Sequence, residues 1–377
     1  MRFLFVAILS LWLVSGPVPG QPAPARVQIT RGPYLQLATE TSVQILWRTD
    51  RPATCRVEYG TDGYSRSAGS ARAVTRHRVG LTGLQPGTRY RYRIRCGGQV
   101  LRQGVSFTTS KPAGKPFRFA VFGDSGSGEP GQQRLAARIA AASPDLILHT
   151  GDIVYPRGAE AGYDSRFFQP YRALLAQVVL WPVPGNHDRL SNRGGPYRSN
   201  FVLPRNGPAG VTPEHCYSFD YGDAHFVALD SNLSDGELAG RVVPWLRRDL
   251  AGTQRRWRFA FFHHPPYSAG LHGGSARVRR LLVPALSQGA VDVVFNGHDH
   301  TYERTHPVGG ITYIVTGAGG AGLYRQKHPH QHTARFYNRA YSFTLVEVNG
   351  RHLRLRQIAA DGTVVDQAAW QKPAASE

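Results

Sequence analysis

From Val27 to Thr109 apolar and polar residues alternate in short runs, at 42–48, 54–59, 88–95 and 105–109, broken by the turn-forming Thr61-Asp62-Gly63 and Gln85-Pro86-Gly87. Period-two alternation interrupted by turn residues predicts a small all-β sandwich. The pattern changes after Lys111-Pro112-Ala113-Gly114-Lys115-Pro116, a linker composition. Continuous apolar runs at 117–123, 146–151, 178–185, 259–262 and 291–297 then read as buried strands, and apolar residues recur at helical spacing over 132–142 and 276–288. Further on, strands follow strands, at 311–315, 341–348 and 352–358. The chain is therefore expected to hold an all-β domain at 26–110, a linker at 111–116, an α/β domain of two mixed sheets flanked by helices at 117–360, and a tail at 361–377. Residues 189–214, rich in Gly, Pro, Asn and Arg without periodicity, are expected to form a long surface insertion.

Composition refines this picture. At 377 residues and 41% hydrophobic content the chain is long enough for two cores. Residues 3–14 form a short apolar run behind Arg2, followed by Ser15, Gly16 and Pro17, so 1–25 is expected to be a signal peptide cut between Gly20 and Ala25, and the protein secreted or otherwise extracytoplasmic. No stretch approaches about 18 apolar residues, so no transmembrane span is expected. The formal charge is +20, but only four of the 45 basic residues are lysines and the arginines form no run. That distribution argues against dedicated nucleic-acid binding and leaves attraction of a small phosphorylated substrate. Of three cysteines none sits in a C-x-x-C pair; Cys55 and Cys96 fall in predicted strands and are candidates for a disulfide, with Cys216 odd and buried.

Chemistry gathers where the apolar runs of the second domain end. Asp124, Asp152 with Tyr155, Asn186, His263, and His298 with His300 follow five predicted strands in turn. Singly each has an ordinary use: Gly-Asp makes turns, Asn caps helices, Tyr packs. Ligand sites in α/β folds form at the carboxyl ends of strands, so the five ends should converge. Two carboxylates, a phenol, an amide and three imidazoles then make a two-metal hydrolytic site, in which Asp152 can bridge and Tyr155 suits a strongly acidic ion. Adjacent strand residues face opposite ways, so His263 is taken as the ligand and His264 as packing behind it. His225 and the histidines of 328–332 have no motif around them and are assigned structural or surface roles.

These clusters also carry a resemblance. Gly123-Asp124-Ser125-Gly126, Gly151-Asp152-Ile153-Val154-Tyr155, Gly185-Asn186-His187-Asp188, Ala260-Phe261-Phe262-His263 and Gly297-His298-Asp299-His300 resemble, in order, the GDxG, GDxxY, GNH-acid, VxxH and GHxH motifs of purple acid phosphatases, within the metallophosphoesterase superfamily. Tyr302-Glu303-Arg304 also resembles that family, and Leu81 to Tyr90 resembles the closing half of fibronectin type III domains, matching a two-domain, plant-type architecture. The resemblance implies ferric iron at Asp124, Tyr155, His300 and bridging Asp152, and a second metal (zinc, manganese or ferrous iron) at Asp152, Asn186, His263 and His298. It implies a secreted acid phosphatase that hydrolyses phosphate monoesters by attack of a metal-bound hydroxide, with His187 and His272 contacting phosphate or donating a proton. Three departures stand out: Ala260 for valine, Asp188 for the plant-type glutamate, and one histidine, His272, where plant-type members have adjacent ones. A phosphodiesterase or nucleotidase with the same ligands, or a non-catalytic secreted binding protein, are the alternative readings.

Overall fold

The structure, a computed structural model, describes residues 26–374, so the expected signal peptide lies outside the described residues. The N-terminal domain has seven strands: β1 (Ile29–Gln36), β2 (Val43–Ala53), β3 (Cys55–Gly60), β4 (Arg66–Gly69), β5 (Val74–Leu81), β6 (Arg89–Cys96) and β7 (Gln99–Thr108). They form two antiparallel sheets, ordered β1-β2-β5 and β4-β3-β6-β7. Inward residues such as Ile45, Trp47, Val57, Tyr92 and Ile94 are essentially fully buried between them. Cys55 and Cys96, directly opposed on β3 and β6, are joined in a disulfide, and Cys216 is free and buried.

The second domain opens with β8 (Phe117–Phe122), β9 (Leu146–His149) and β10 (Val179–Pro182), which run parallel, so their carboxyl ends share one edge. Antiparallel β18 (Ser342–Asn349), β19 (His352–Ala359) and β20 (Val364–Gln371) complete this six-stranded sheet. The facing sheet has seven strands: β11 (Tyr217–Tyr221), β12 (Ala224–Ala228), β13 (Trp257–Phe261), β14 (Val293–Asn296), β15 (Tyr302–Thr305), β16 (Thr312–Thr316) and β17 (Thr333–Tyr337). Of these, β12, β13, β14 and β16 are mutually parallel. Phe119 of the first sheet packs edge-on against Phe226 and Phe259 of the second, ring centroids 5.2 Å apart in both pairs. Helix Ala276–Gln288, capped by Ser275, covers the second sheet with Val278, Leu282, Ala285 and Leu286, the stripe of a 3.6-residue period.

Two expectations are corrected. Segment 361–377 is not simply a tail: 364–371 is the edge strand β20, which lacks a clean alternating pattern because its outer side is exposed, and whose Asp366 accepts bonds from Tyr302 (2.7 Å) and Arg304 (2.7 Å). Segment 189–214 is not only a surface insertion, since it contains helix Gly195–Asn200 and buries Tyr197, Asn200, Phe201 and Leu203. Arg31 of β1, itself buried, pairs with Asp164 and Glu160 and donates to Asn200, while Tyr34 Oη donates to the Asn200 carbonyl (2.8 Å). The segment thus fastens the two domains together, with polar side chains that hydropathy alone cannot distinguish from a solvated loop.

His225, on β12 and opposite Asp220 of β11, donates from Nδ1 to Asp220 (2.7 Å) and from Nε2 to Asp249 (2.8 Å). Two ring donors require an imidazolium. Burial opposes that charge, but the two carboxylates carry its pKa up to about 9. A folded pKa above the unfolded value of about 6.5 means the stabilisation is complete below that value and lost as pH rises through about 9. The melting temperature should therefore fall by several degrees from pH 7 to 9.5, and His225→Gln should melt lower at pH 7 with most of that pH dependence gone; equal slopes for both proteins would refute the assignment.

Candidate metal centre

The five strand ends do converge. Asp124, Asp152 and His298 take positive φ, 55°, 54° and 71°, a backbone conformation uncommon for residues with a Cβ. Such strain persists only where surroundings fix it. Both oxygens of Asp124 accept from the His298 amide (3.0 Å each), and Asp152 Oδ1 accepts from the His187 amide (2.9 Å), so each loop is tied to the next. The preceding glycines allow this approach. A Cβ on Gly185 would stand 2.0 Å from Asp152 Oδ1, and one on Gly297 would stand 2.4 Å from Asp124 Oδ2.

The donor atoms fall into two groups that share Asp152. Tyr155 Oη lies 3.2 Å from Asp124 Oδ1, 3.0 Å from Asp152 Oδ2 and 2.9 Å from His300 Nε2. His263 Nε2 lies 2.9 Å from Asn186 Oδ1, 3.3 Å from His298 Nδ1 and 3.4 Å from Asp152 Oδ2. Ligands held about 2.1 Å from one cation stand roughly 3.0 to 3.4 Å from one another, so both groups have the spacing of a coordination shell. The ring orientations agree. His263 Nδ1 donates to the Thr150 carbonyl (2.9 Å) and His300 Nδ1 to the Gly322 carbonyl (2.7 Å), which turns each Nε2 towards the cluster.

Electrostatics point the same way. Burial, then the charge of neighbouring Asp152, pushes Asp124 well above the usual carboxylate range, although His263 opposes it. Burial also opposes ionisation of Asp152, but His263 and His187 hold it below that range. Burial lowers His298 to about 2 and His300 to about 4, keeping both imidazoles neutral. Burial and the two carboxylates push the Tyr155 phenol well up. Two buried carboxylates, a reluctant phenol and bare imidazole nitrogens form a set that cations would relieve, so the residues fit a metal pair.

Around this cluster the remaining histidines find distinct places. His187 Nδ1 donates to the Pro156 carbonyl (2.6 Å), leaving Nε2 3.9 Å from Asp152 Oδ2 on a side chain one-third exposed. His272 stacks on His298 at 4.3 Å, and its amide donates to Asp299 Oδ1 (2.8 Å). His264 lies nearer the centre than strand alternation suggested: a ring nitrogen groups with those of His263 and His298, and its Nδ1 meets Ser231 Oγ at 2.8 Å. The reason is that β13 ends at Phe261, before the histidine pair. The Asp188 carboxylate accepts from the amides of Ile153 (3.0 Å) and Gly185 (2.9 Å), clamping two ligand loops.

Sequence reasoning missed four supporting residues. His149 bonds Ser125 Oγ (2.8 Å) and accepts from the Gly151 amide (3.2 Å), joining the first two loops. Tyr324 stacks on His300 at 4.0 Å, from a segment without periodicity. Asp299 and Glu303 hold the loop that carries His272, Asp299 accepting from Ser268 Oγ and Glu303 from the Ala269 amide (2.6 Å). Their positions within Gly297 to Arg304 were visible, but their targets were not. A cleft of about 830 Å³ opens at the amino end of β8, lined by Lys111, Arg118, Asp145, Glu347 and Arg354, and contains none of the seven candidate ligands.

Three stretches of the chain match known protein families. Residues 117–302 match the calcineurin-like phosphoesterase family, 30–109 the N-terminal domain of purple acid phosphatases, and 310–367 the C-terminal region described as iron/zinc purple acid phosphatase-like protein C. Mouse acid phosphatase type 7 is 27% identical over 408 residues, covering 88% of each chain. Purple acid phosphatase 21 of Arabidopsis thaliana is 30% identical over 321 residues, covering 76% of this chain and 70% of the relative. The structure of a purple acid phosphatase from yellow lupin seeds has the same fold, with a TM-score of 0.79 at 20% identity over 90% of this chain and 74% of the other.

Proposed function

Because this chain belongs to the purple acid phosphatase family and is a metallophosphoesterase, we propose that it hydrolyses phosphate monoesters in acidic medium, outside the cytoplasm, at a binuclear centre of iron with zinc, manganese or a second iron. The observation that carries the reading is the division of seven donors into two shells around Asp152 Oδ2. Asp124, Tyr155, His300 and Asp152 would hold the ferric ion. Asp152, Asn186, His263 and His298 would hold its partner. When bound, such a pair supplies an activated water and neutralises the charge of the ester.

The chain's own groups supply orientation and the proton. Asn186, a neutral ligand, leaves its cation more electrophilic than a carboxylate would. His187, with Nδ1 committed to Pro156 and Nε2 3.9 Å from Asp152 Oδ2, stands where its ring can donate a proton to the leaving alkoxide. His272, stacked on His298, stands at the same rim as a phosphate contact. An acidic optimum is expected for this reaction. The Cys55–Cys96 disulfide supports an oxidising compartment, and no helix among the described residues is long and apolar enough to cross a membrane.

The test is hydrolysis of an aryl phosphate monoester against the matching diester, with iron plus zinc or manganese supplied, from pH 4 to 9. Faster monoester turnover with an acidic optimum is expected. Preference for the diester, or an alkaline optimum, would overturn the monoesterase reading and place the chain with the diesterases.

A further inference from the structure

Arginines dispersed along the N-terminal sequence are gathered by the fold into one row. In β6, Tyr90, Tyr92, Ile94 and Cys96 are buried, which turns Arg89, Arg91, Arg93 and Arg95 to the other face of the sheet. At about 3.3 Å per residue the four span roughly 20 Å. On neighbouring β3, Arg56 is opposite Arg95 and half-exposed at 53%. The acid between these strands is Glu58, which accepts from Arg56 (3.0 Å) and Arg93 (2.5 Å), so one carboxylate stands against five guanidinium groups. A cavity of about 350 Å³ lined by Arg56, Arg95, Ser67 and Ser70 continues the row at the disulfide end. The Cys55–Cys96 bridge and the β3–β6 register hold the charges in fixed positions.

We propose that this face docks a linear phosphate-bearing polysaccharide. The patch is long and two strands wide, roughly 20 by 5 to 10 Å, which fits one polymer chain and is too narrow for a nucleic-acid duplex. Single-stranded nucleic acid is bound through aromatic platforms, yet Tyr90 and Tyr92 are buried and the Tyr64 ring lies under the Arg93 guanidinium at 4.4 Å. Repeated guanidinium forks suit repeated oxyanions better than a single small ester would need. Phosphate is chosen over sulfate because the second domain belongs to a phosphatase family; in that choice the inference rests on the function proposed above. Docking would raise the local concentration of polymer-borne esters without adding a contact at the metal centre.

The experiment compares the full chain with R56Q/R91Q/R95Q and with a control, R172Q/R247Q/R248Q, which removes three exposed arginines from the second domain. Binding of a phosphorylated glucan, its unphosphorylated form, a sulfated glucan and single-stranded DNA is measured over a salt series. The first variant should weaken phosphoglucan binding at least tenfold at low salt and lower the slope of log affinity against log salt by about two, at about 0.7 per lost contact. The control should lose less than threefold, and aryl phosphate kinetics should not change in either. R91Q alone, at an exposed position, should cost about threefold and guards against a misfolded triple variant. Equal losses in the control, equal affinity for DNA or sulfated glucan, or no phosphoglucan binding would each overturn the proposal. Failure of the wild type to hydrolyse aryl phosphate would overturn the phosphatase reading, while an arginine-dependent binding result would still support the docking face.

Discussion

Asp152→Asn should lower kcat/KM for a phosphate monoester by at least ~10³-fold, a loss of about 4 kcal/mol in transition-state stabilisation, and bring metal content from about two per chain to one or fewer. Asp152 is 2% exposed, and its Oδ2 lies between Tyr155 Oη at 3.0 Å and His263 Nε2 at 3.4 Å, where it can serve both shells. Asparagine matches its shape and keeps one acceptor for the His187 amide, but it has a single oxygen and no charge, so it cannot bridge two cations. Calorimetry separates this from misfolding. In the metal-free state the variant should melt within about 3 °C of wild type, because it removes repulsion between Asp152 and Asp124 along with the attraction to His263. A metal that binds only the native state would raise its melting temperature, so that increment should appear in wild type and largely vanish in the variant. Two metals per chain and near-normal turnover in Asp152→Asn would show that the bridging role lies elsewhere.

The seven donors were readable because each follows an apolar run, and β8, β9, β10, β13 and β14 are parallel strands buried on both faces, whose sequences are continuous hydrophobic blocks with sharp ends. Parallelism then brings distant ends to one edge. The rim of the site depends on packing that no period encodes. Tyr324 reaches His300 from a stretch without strand or helix, and His264 turns inward because β13 stops three residues earlier. Buried polar residues were equally hidden: Asn200 and Glu303 look like surface residues in sequence, yet one joins the domains and the other holds the His272 loop. The arginine row was overlooked for the opposite reason. Its members sit at every second position of β6, which reads as dispersed charge until the pleat places alternate side chains on one face.

Tyr155→Phe should bleach the protein while leaving measurable hydrolysis. In the metal-free site the phenol is held in its protonated form by burial and by Asp124 and Asp152, so an ordinary divalent cation has little power to displace its proton. A trivalent ion held at Asp124 and Asp152 would have that power, and a phenolate bound to iron would absorb visible light. Phenylalanine preserves the ring that lies 4.6 Å from His187 and 5.7 Å from His300, and removes only the oxygen. Turnover should fall by ~10- to 100-fold, the scale seen when a group that orders a metal site is lost, instead of disappearing. A second readout does not depend on activity: loading ferric iron should release one proton fewer in the variant, so the dependence of iron affinity on pH should be shallower by one proton. Wild-type protein that carries a full complement of iron yet is colourless, or a variant that keeps both colour and proton release, would remove Tyr155 from the ferric shell and leave Asp124, Asp152 and His300 to hold the ion without it.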